Sequence, residues 1–488
     1  MTNTPVIPGY HPDPSVCRVG SAFFLATSSF EYSPGVPIFT STDLRSWDQL
    51  GNVLTRESQL TVRTRVEGAS GGIYAPTLRH HDGRFWLTTT NVDEITKGHL
   101  IVHAERAEGP WSEPVYTEGL IGIDPDLAWG DDGVCRLTWG DVIHGCISQV
   151  EIDPSTGRVL SEPVVLWRGI GTGDTHPEGP HVFKRGDWWY LLVAEGGTGP
   201  GHMVTVARSA AIDGPFVGNP ANPILSHRST THAVQSTGHA DLVEAEDGSW
   251  AMVHLGVRLR GSFPRWHTNG RETFLVGIDW VDDWPVVVED RFPESTPETS
   301  FVDTFDAPTL HPRWIAPGVA PASFASVRDG ALHLTAGRPA ASRDAEHLLA
   351  VRARDEQWAV EVAAPEGDIA LGVRIDDAHQ AVVQRVGDRV TVRVVIGPLD
   401  QIVAERTGVD RRESLTVRAA ANAQQRPGAR TGPDRIILGL GAEPEALADI
   451  DGRYCSTEVA GGFTGRVIGI EALGGDATVT RFSYSALP

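Results

Sequence analysis

Apolar residues along the first 290 positions come in short runs, some alternating with polar residues, and Gly, Asp and Pro interrupt them again and again. A helical period is hard to find, so the pattern predicts many short strands. Five segments repeat one shape: a polar residue beside Pro or Gly, an apolar stretch, a glycine turn, then a strand of aromatics and aliphatics. They are HPDPSVCRVGSAFFLATSS, YAPTLRHHDGRFWLTTT, IDPDLAWGDDGVCRLTWG, EGPHVFKRGDWWYLLVAEGG and GHADLVEAEDGSWAMVHLG. Their turn glycines, Gly20, Gly83, Gly133, Gly186 and Gly248, stand 50 to 63 residues apart, room for one four-stranded sheet each. HLIVHAERAEGPWSEP and MVTVARSAAIDGPFVGNP, after the second and fourth copies, read as outer strands. Five such units set radially predict a five-bladed β-propeller over residues 1–290, with a β-sandwich of coincidental turns as the rival.

The pattern changes after that. VVEDRFPESTPETS, rich in Pro, Glu, Ser and Thr, reads as a linker centred on residues 291–300. From Phe301 to Pro488 strand-like runs resume (ALHLTAG, WAVEVAAPEG, RVTVRVVIG, RVIGIEAL) without the five-fold repeat. They predict a second all-β unit, a two-sheet, concanavalin-like sandwich.

Register within the repeats singles out a few polar residues. Counted back from the turn glycine, Asp13 lies 7 residues upstream, Asp124 lies 9, Glu178 lies 8 and His239 lies 9. First strands of successive blades converge on a propeller's axis, so these residues are expected to face one another across a shallow funnel. Glu178 is held stiffly in HPEGPH, where proline excludes a helix interior.

Composition narrows the partners. A formal charge of −22, from 63 acidic against 41 basic residues, argues against a nucleic-acid surface and against a polybasic membrane anchor. No apolar run reaches 18 residues, and MTNTPVIPGYHPDPS shows no signal-peptide pattern, so a soluble cytoplasmic protein is expected. Cys17, Cys135, Cys146 and Cys455 are scattered and read as buried thiols rather than a zinc cage or disulfide scaffold.

Three carboxylates in one funnel suggest hydrolysis of a glycosidic bond. That reaction needs one protonated acid for the leaving oxygen and one ionised carboxylate for water or carbon. Unlike environments must hold the two apart in pKa, and a third carboxylate is a natural device for raising the acid. A propeller lectin, which binds sugar without cleaving it, has no use for such a trio.

Six motifs in order resemble glycoside hydrolase family 43: HPDPS, SSFEYSPGVPIFTSTDLRSW, GGIYAPTLRH, IDPDLAWGDDG, PEGPH and GRETFL. DGRYCSTEVAGGFTG resembles part of the β-sandwich appended to that family's β-xylosidases. The resemblance implies Asp13 as general base, Asp124 as the pKa-raising and orienting aspartate, and Glu178 as general acid, in a single inverting step. Asp126, two residues on, stands where the family commonly has serine and competes with Asp124 for the middle role. The resemblance also implies that Arg271 contacts substrate hydroxyls near the acid, with a surface salt bridge as the alternative. His239 is more structural than chemical, and Phe30, Tyr74 and Trp266 either stack on sugar faces or pack in the core. The expected activity is exo-release of a terminal pentose, β-1,4-linked xylose first and α-L-arabinofuranose second, from a short oligosaccharide. The mechanism requires no cofactor. Similar proteins leave room for a structural calcium ion (Ca2+) near His239, and homo-oligomers are common among them.

Overall fold

The computed structural model describes residues 4–61, 70–171, 176–262, 264–337, 347–422, 430–441 and 445–488. Five antiparallel sheets occupy the chain up to Val288. Blade 1 runs Ser15–Val19, Ala22–Ala26, Gly35–Ser41 and Asp48–Leu54; blade 2 runs Thr77–His81, Arg84–Thr89, Leu100–Ala104 and Val115–Tyr116. Blade 3 opens with Ile123–Trp129, Cys135–Asp141 and Cys146–Asp153, and both Arg158–Val159 and Val164–Trp167 pair with its third strand. Blade 4 runs Glu178–Arg185, Trp188–Glu195, Met203–Ser209 and Val217–Gly218; blade 5 runs Val234–Glu244, Trp250–Arg258, Glu272–Val281 and Trp284–Val288. The five turn glycines of the repeats each close the first hairpin of a blade, all at positive φ, where a side chain would be strained.

Apolar side chains fill the seams between neighbouring blades rather than one central core. Leu78 and Leu87 pack with Val36 and Ile38 (blades 1 and 2), Trp86 and Ile101 with Leu127 and Leu137 (2 and 3), and Ala128 and Ile147 with Val182 and Leu191 (3 and 4). Tyr190 and Leu192 meet Leu242 and Met252 (4 and 5), and Val16 and Leu25 meet Val243 and Val253 (5 and 1). The seams therefore return to their start, and the sheets form a closed five-bladed propeller. The N-terminal segment seals the ring, with Ile7 bridging Thr273 in blade 5.

One cation ties the first strands together at the axis. The Arg79 guanidinium donates to Asp126 at 2.7 Å, Asp241 at 2.8 Å and Ser15 at 3.2 Å, and lies 2.9 Å from His181 Nδ1. Arg79 and its four partners come from five different blades. Asp126 is thus a structural anion, fully buried, and also accepts from the Val182 amide at 2.8 Å.

No strand lies between Val288 and Phe301; beyond it two six-stranded sheets and a three-stranded one form a β-sandwich. The strand Trp358–Ala363 alternates buried and half-buried positions, and Trp358, Val360 and Val362 pack against Leu349, Leu371 and Ile470 of the opposite sheet. The sandwich is stitched to blade 1: Ala316–Pro317 pairs with Tyr32–Ser33, and Tyr10, Phe30 and Tyr32 share a core with Ile315, Leu348 and Val467. All four cysteines are buried and free.

Candidate active site

The inner strands do not start smoothly. Blade 3 breaks register between Ile123 and Asp126, blade 4 between Glu178 and His181, and blade 5 twice between Gln235 and Asp241. At these bulges, and just ahead of the first strand of blade 1, the backbone turns left-handed: φ is 57° at Asp13, 55° at Asp124, 57° at Gly179 and 40° at His239. Bulges re-aim side chains that a flat strand would bury or splay, and strain of this sort persists only where surroundings hold it. One pocket results, lined by Asp13, Asp124, Glu178, Phe30, Tyr74, His239 and Arg271, together with Ala75, Ile123, Thr198 and Phe463.

Asp13 sits in a cradle of donors. Ser28 Oγ donates to its Oδ2 at 2.5 Å, Arg271 Nη1 to its Oδ1 at 3.3 Å, and His239 Nδ1 lies 3.5 Å from Oδ1. Burial alone would raise this carboxyl, but Arg271, His239 and Ser28 outweigh it and hold it below the usual aspartate range. Asp124 is the opposite case. Burial, then the nearby charges of Glu178 and Asp13, push it well up, although its Oδ2 accepts from the Gly179 amide at 3.1 Å. Glu178 rises to about 7, through burial and the Asp13 charge, against the pull of Arg271. About a quarter of the Glu178 side chain stays exposed, whereas Asp124 is 6 % exposed and braced against the Gly179 peptide. The site therefore holds one carboxyl group shifted towards its ionised form and two shifted towards their protonated forms, of which Glu178 is the more exposed.

Arg271 organises the rim. Its Nη1 bridges Asp13 and Thr198 Oγ1, the latter at 2.8 Å, and its guanidinium lies 5.7 Å from the Phe30 ring and 5.1 Å from the Phe463 ring. The surface salt bridge expected as its alternative does not occur, since the residue is buried. Phe30, 1 % exposed, belongs to the core and lines the pocket at once. Tyr74 packs edge-on against Phe30 and Phe463 at 5.7 and 5.9 Å, and its hydroxyl donates to the Ser70 carbonyl.

His239 packs on the Gly179 backbone so closely that a Cβ there would lie 2.8 Å from its Nε2. Burial lowers it to about 4, so it is neutral at pH 7. Its surroundings do not suit calcium, which takes about six to eight oxygens. Asp126 and Asp241, the axial carboxylates, are already engaged by Arg79, and Asp13 by Arg271 and Ser28.

Two open alternatives take one side in this geometry, the packing reading for Trp266 and the preference for Asp124 over Asp126. Trp266 does not line the pocket: its backbone pairs with Arg260, and the Arg453 guanidinium lies 5.3 Å from its ring centre. Asp126 does not reach the pocket either, being locked to Arg79 at the axis. Sequence reasoning also missed four residues. Ser28 lay inside a quoted motif. His202, whose Nε2 stands 3.9 Å from Glu178 and which burial lowers to about 3, follows the fourth repeat with no motif of its own, as does Thr198. Phe463, in DGRYCSTEVAGGFTG, comes from the sandwich; its amide donates to Ser70 Oγ at 2.6 Å.

Known proteins share this architecture and sequence. Residues 2–285 match the profile of Glycosyl hydrolases family 43. A xylosidase/arabinosidase of Butyrivibrio fibrisolvens is 42% identical over 300 residues, 59% of this chain and 56% of its own. The non-reducing end alpha-L-arabinofuranosidase BoGH43B of Bacteroides ovatus is 38% identical over 64% of this chain and 60% of its own. The matches to these two thus span somewhat over half of the relatives' length. Among solved structures, the GH43 protein BlXynB of Bacillus licheniformis superposes with a TM-score of 0.86 at 27% identity, covering 100% of this chain and 99% of that one. Xylan beta-1,4-xylosidase of Bacillus halodurans gives 0.84 at 28%, covering 99% and 100%. The chain belongs to glycoside hydrolase family 43.

Proposed function

We propose that this enzyme removes single pentose units from the non-reducing end of short oligosaccharides, with inversion at the anomeric carbon. The observation that carries the reading is one pocket in which three carboxyl groups meet unlike surroundings. Glu178 is the general acid: it enters the reaction protonated and gives its proton to the leaving oxygen. Asp13 is the general base: kept ionised by Arg271 and Ser28, it takes a proton from the water that attacks the sugar. Asp124 is a positioning residue that accepts from the Gly179 amide and so holds that peptide beside Glu178, while burial and the Asp13 charge favour the protonated acid. In an inverting arrangement water stands between base and sugar, which calls for carboxyl groups about 6.5–9.5 Å apart.

Several features support exo action on a small sugar. The aromatic wall of Phe30, Tyr74 and Phe463 and the Arg271–Thr198 pair line the pocket beside the three carboxyl groups. Xylose is the first candidate and α-L-arabinofuranose the second, since relatives carry names of both kinds, and the β-1,4 linkage follows the name of the Bacillus halodurans neighbour rather than that of a 1,3-beta-xylosidase relative. A panel of nitrophenyl pentosides and xylo- or arabino-oligosaccharides, with product anomers followed by proton NMR, separates them. Inverted pentose as the first-formed product is expected; the retained anomer would contradict Asp13 as base.

A further inference from the structure

A second polar cluster lies away from this pocket. Among the described residues, ligand atoms of His227, His232 and Glu289 all fall within 4.8 Å of one another. His227 and His232 belong to the segment that leads into the inner strand Val234–Glu244, and Glu289 follows the outermost strand of the same blade. None of the three lines the catalytic pocket.

The ring orientations carry the argument. The Val234 carbonyl lies 2.8 Å from His227 Nδ1 and 3.0 Å from His232 Nδ1. A carbonyl is only an acceptor, so Nδ1 of His227 must carry the hydrogen, and in a neutral ring Nε2 then presents a lone pair. That Nε2 faces Glu289 Oε2, itself an acceptor, at 3.2 Å. Two acceptors do not hold each other at that distance without a proton or a cation between them. His232 Nε2 stands 3.9 Å from the same oxygen and has no hydrogen-bond partner, and the two imidazole ring centres lie 3.9 Å apart with their planes tilted by 38°.

The geometry points to a binding site for a divalent transition-metal ion, Zn2+ by its donor set of two imidazoles and one carboxylate. With metal–ligand bonds of about 2.0–2.1 Å, tetrahedral donors lie roughly 3.3 Å apart, close to the observed 3.2 and 3.9 Å. Imidazole nitrogen favours zinc-like ions over calcium or magnesium. Nδ1–H groups bonded to a backbone carbonyl are the usual outer support of metal-binding histidines. The Val234 amide also lies 3.1 Å from His232 Nδ1, so without metal this ring can accept there and donate through Nε2; the ion selects the other tautomer. Side chains are 9 %, 12 % and 32 % exposed for His227, His232 and Glu289, open enough to load and buried enough to hold shape. Three protein ligands leave one position for water.

Untagged protein, stripped with chelator and dialysed against graded Zn2+, tests the assignment, with zinc counted by mass spectrometry and melting followed in parallel. Wild type is expected to hold one tight Zn2+ per chain and to melt higher with it. His227→Asn keeps a donor for the Val234 carbonyl but lacks Nε2; it and Glu289→Gln should weaken binding by more than about 10-fold and lose the melting shift. Should either variant misfold by circular dichroism, His232→Asn replaces it. No uptake by wild type at micromolar Zn2+, or equal uptake in wild type and folded variants, overturns the site.

Discussion

At the scale of single residues, three carboxyl groups share one pocket and behave differently because their neighbours differ. Asp13 has Arg271, His239 and Ser28 to offset its burial; Asp124 is raised by burial and the charges of Glu178 and Asp13, and Glu178 by burial and the charge of Asp13. The sign of the pH dependence follows. Glu178 must be protonated, so kcat/KM should fall as pH rises through about 7, its value in the free enzyme. Asp13 must be ionised and is held below its ordinary 3.8, so the acid limb should lie below that pH. A pH–rate profile whose alkaline limb persists unchanged in Glu178→Gln would sink the assignment. The meeting of Asp13 and Glu178 in one pocket was legible from their register in the repeats, whereas their roles rest on the family resemblance. Trp266 stayed open between two readings because an aromatic beside a pocket motif and one packed under Arg453 look alike in a sequence.

At the scale of elements, bulges and glycines make the site possible. Gly179 combines a φ of 57° with the His239 ring lying where a Cβ would go. Gly179→Ala should cost about 1–2 kcal/mol in backbone strain alone and lower kcat by displacing His239 and the peptide that Asp124 holds; denaturant titration and kinetics check both. Arg79 plays the matching part at the axis. Arg79→Met leaves Asp126 and Asp241 buried without their cation, and a loss of about 3–5 kcal/mol in urea unfolding is expected. A cost under 1 kcal/mol would mean that the seams alone hold the blades. The strands, their turns and the five-fold repeat were legible, because alternation and glycine turns are local signals. The bulges were not, since a register shift depends on which strand lies next door.

At the scale of the whole molecule, the propeller supplies the carboxylates and the sandwich supplies part of the wall. Arg466 and Asp434 form a fully buried two-bonded ion pair at 2.6 and 2.9 Å, and Arg466 also donates to the Gly452 and Cys455 carbonyls. That brace sets the segment presenting Phe463 to the pocket. Phe463→Ala should leave the fold intact and raise KM on xylo-oligosaccharides about 10-fold or more, as expected for deleting a buried aromatic contact worth roughly 1.5–3 kcal/mol; unchanged kinetics would remove the sandwich from substrate binding. This contribution was hidden because Phe463 lies far along the chain from every catalytic motif. The central claim is that Glu178 delivers a proton to the leaving oxygen, and its most direct test compares Glu178→Gln on two leaving groups. Hydrolysis of a natural xylo-oligosaccharide should fall by about 10²–10⁴-fold, while an aryl xyloside whose leaving group needs no proton should keep most of its rate. Equal losses on both would contradict the account.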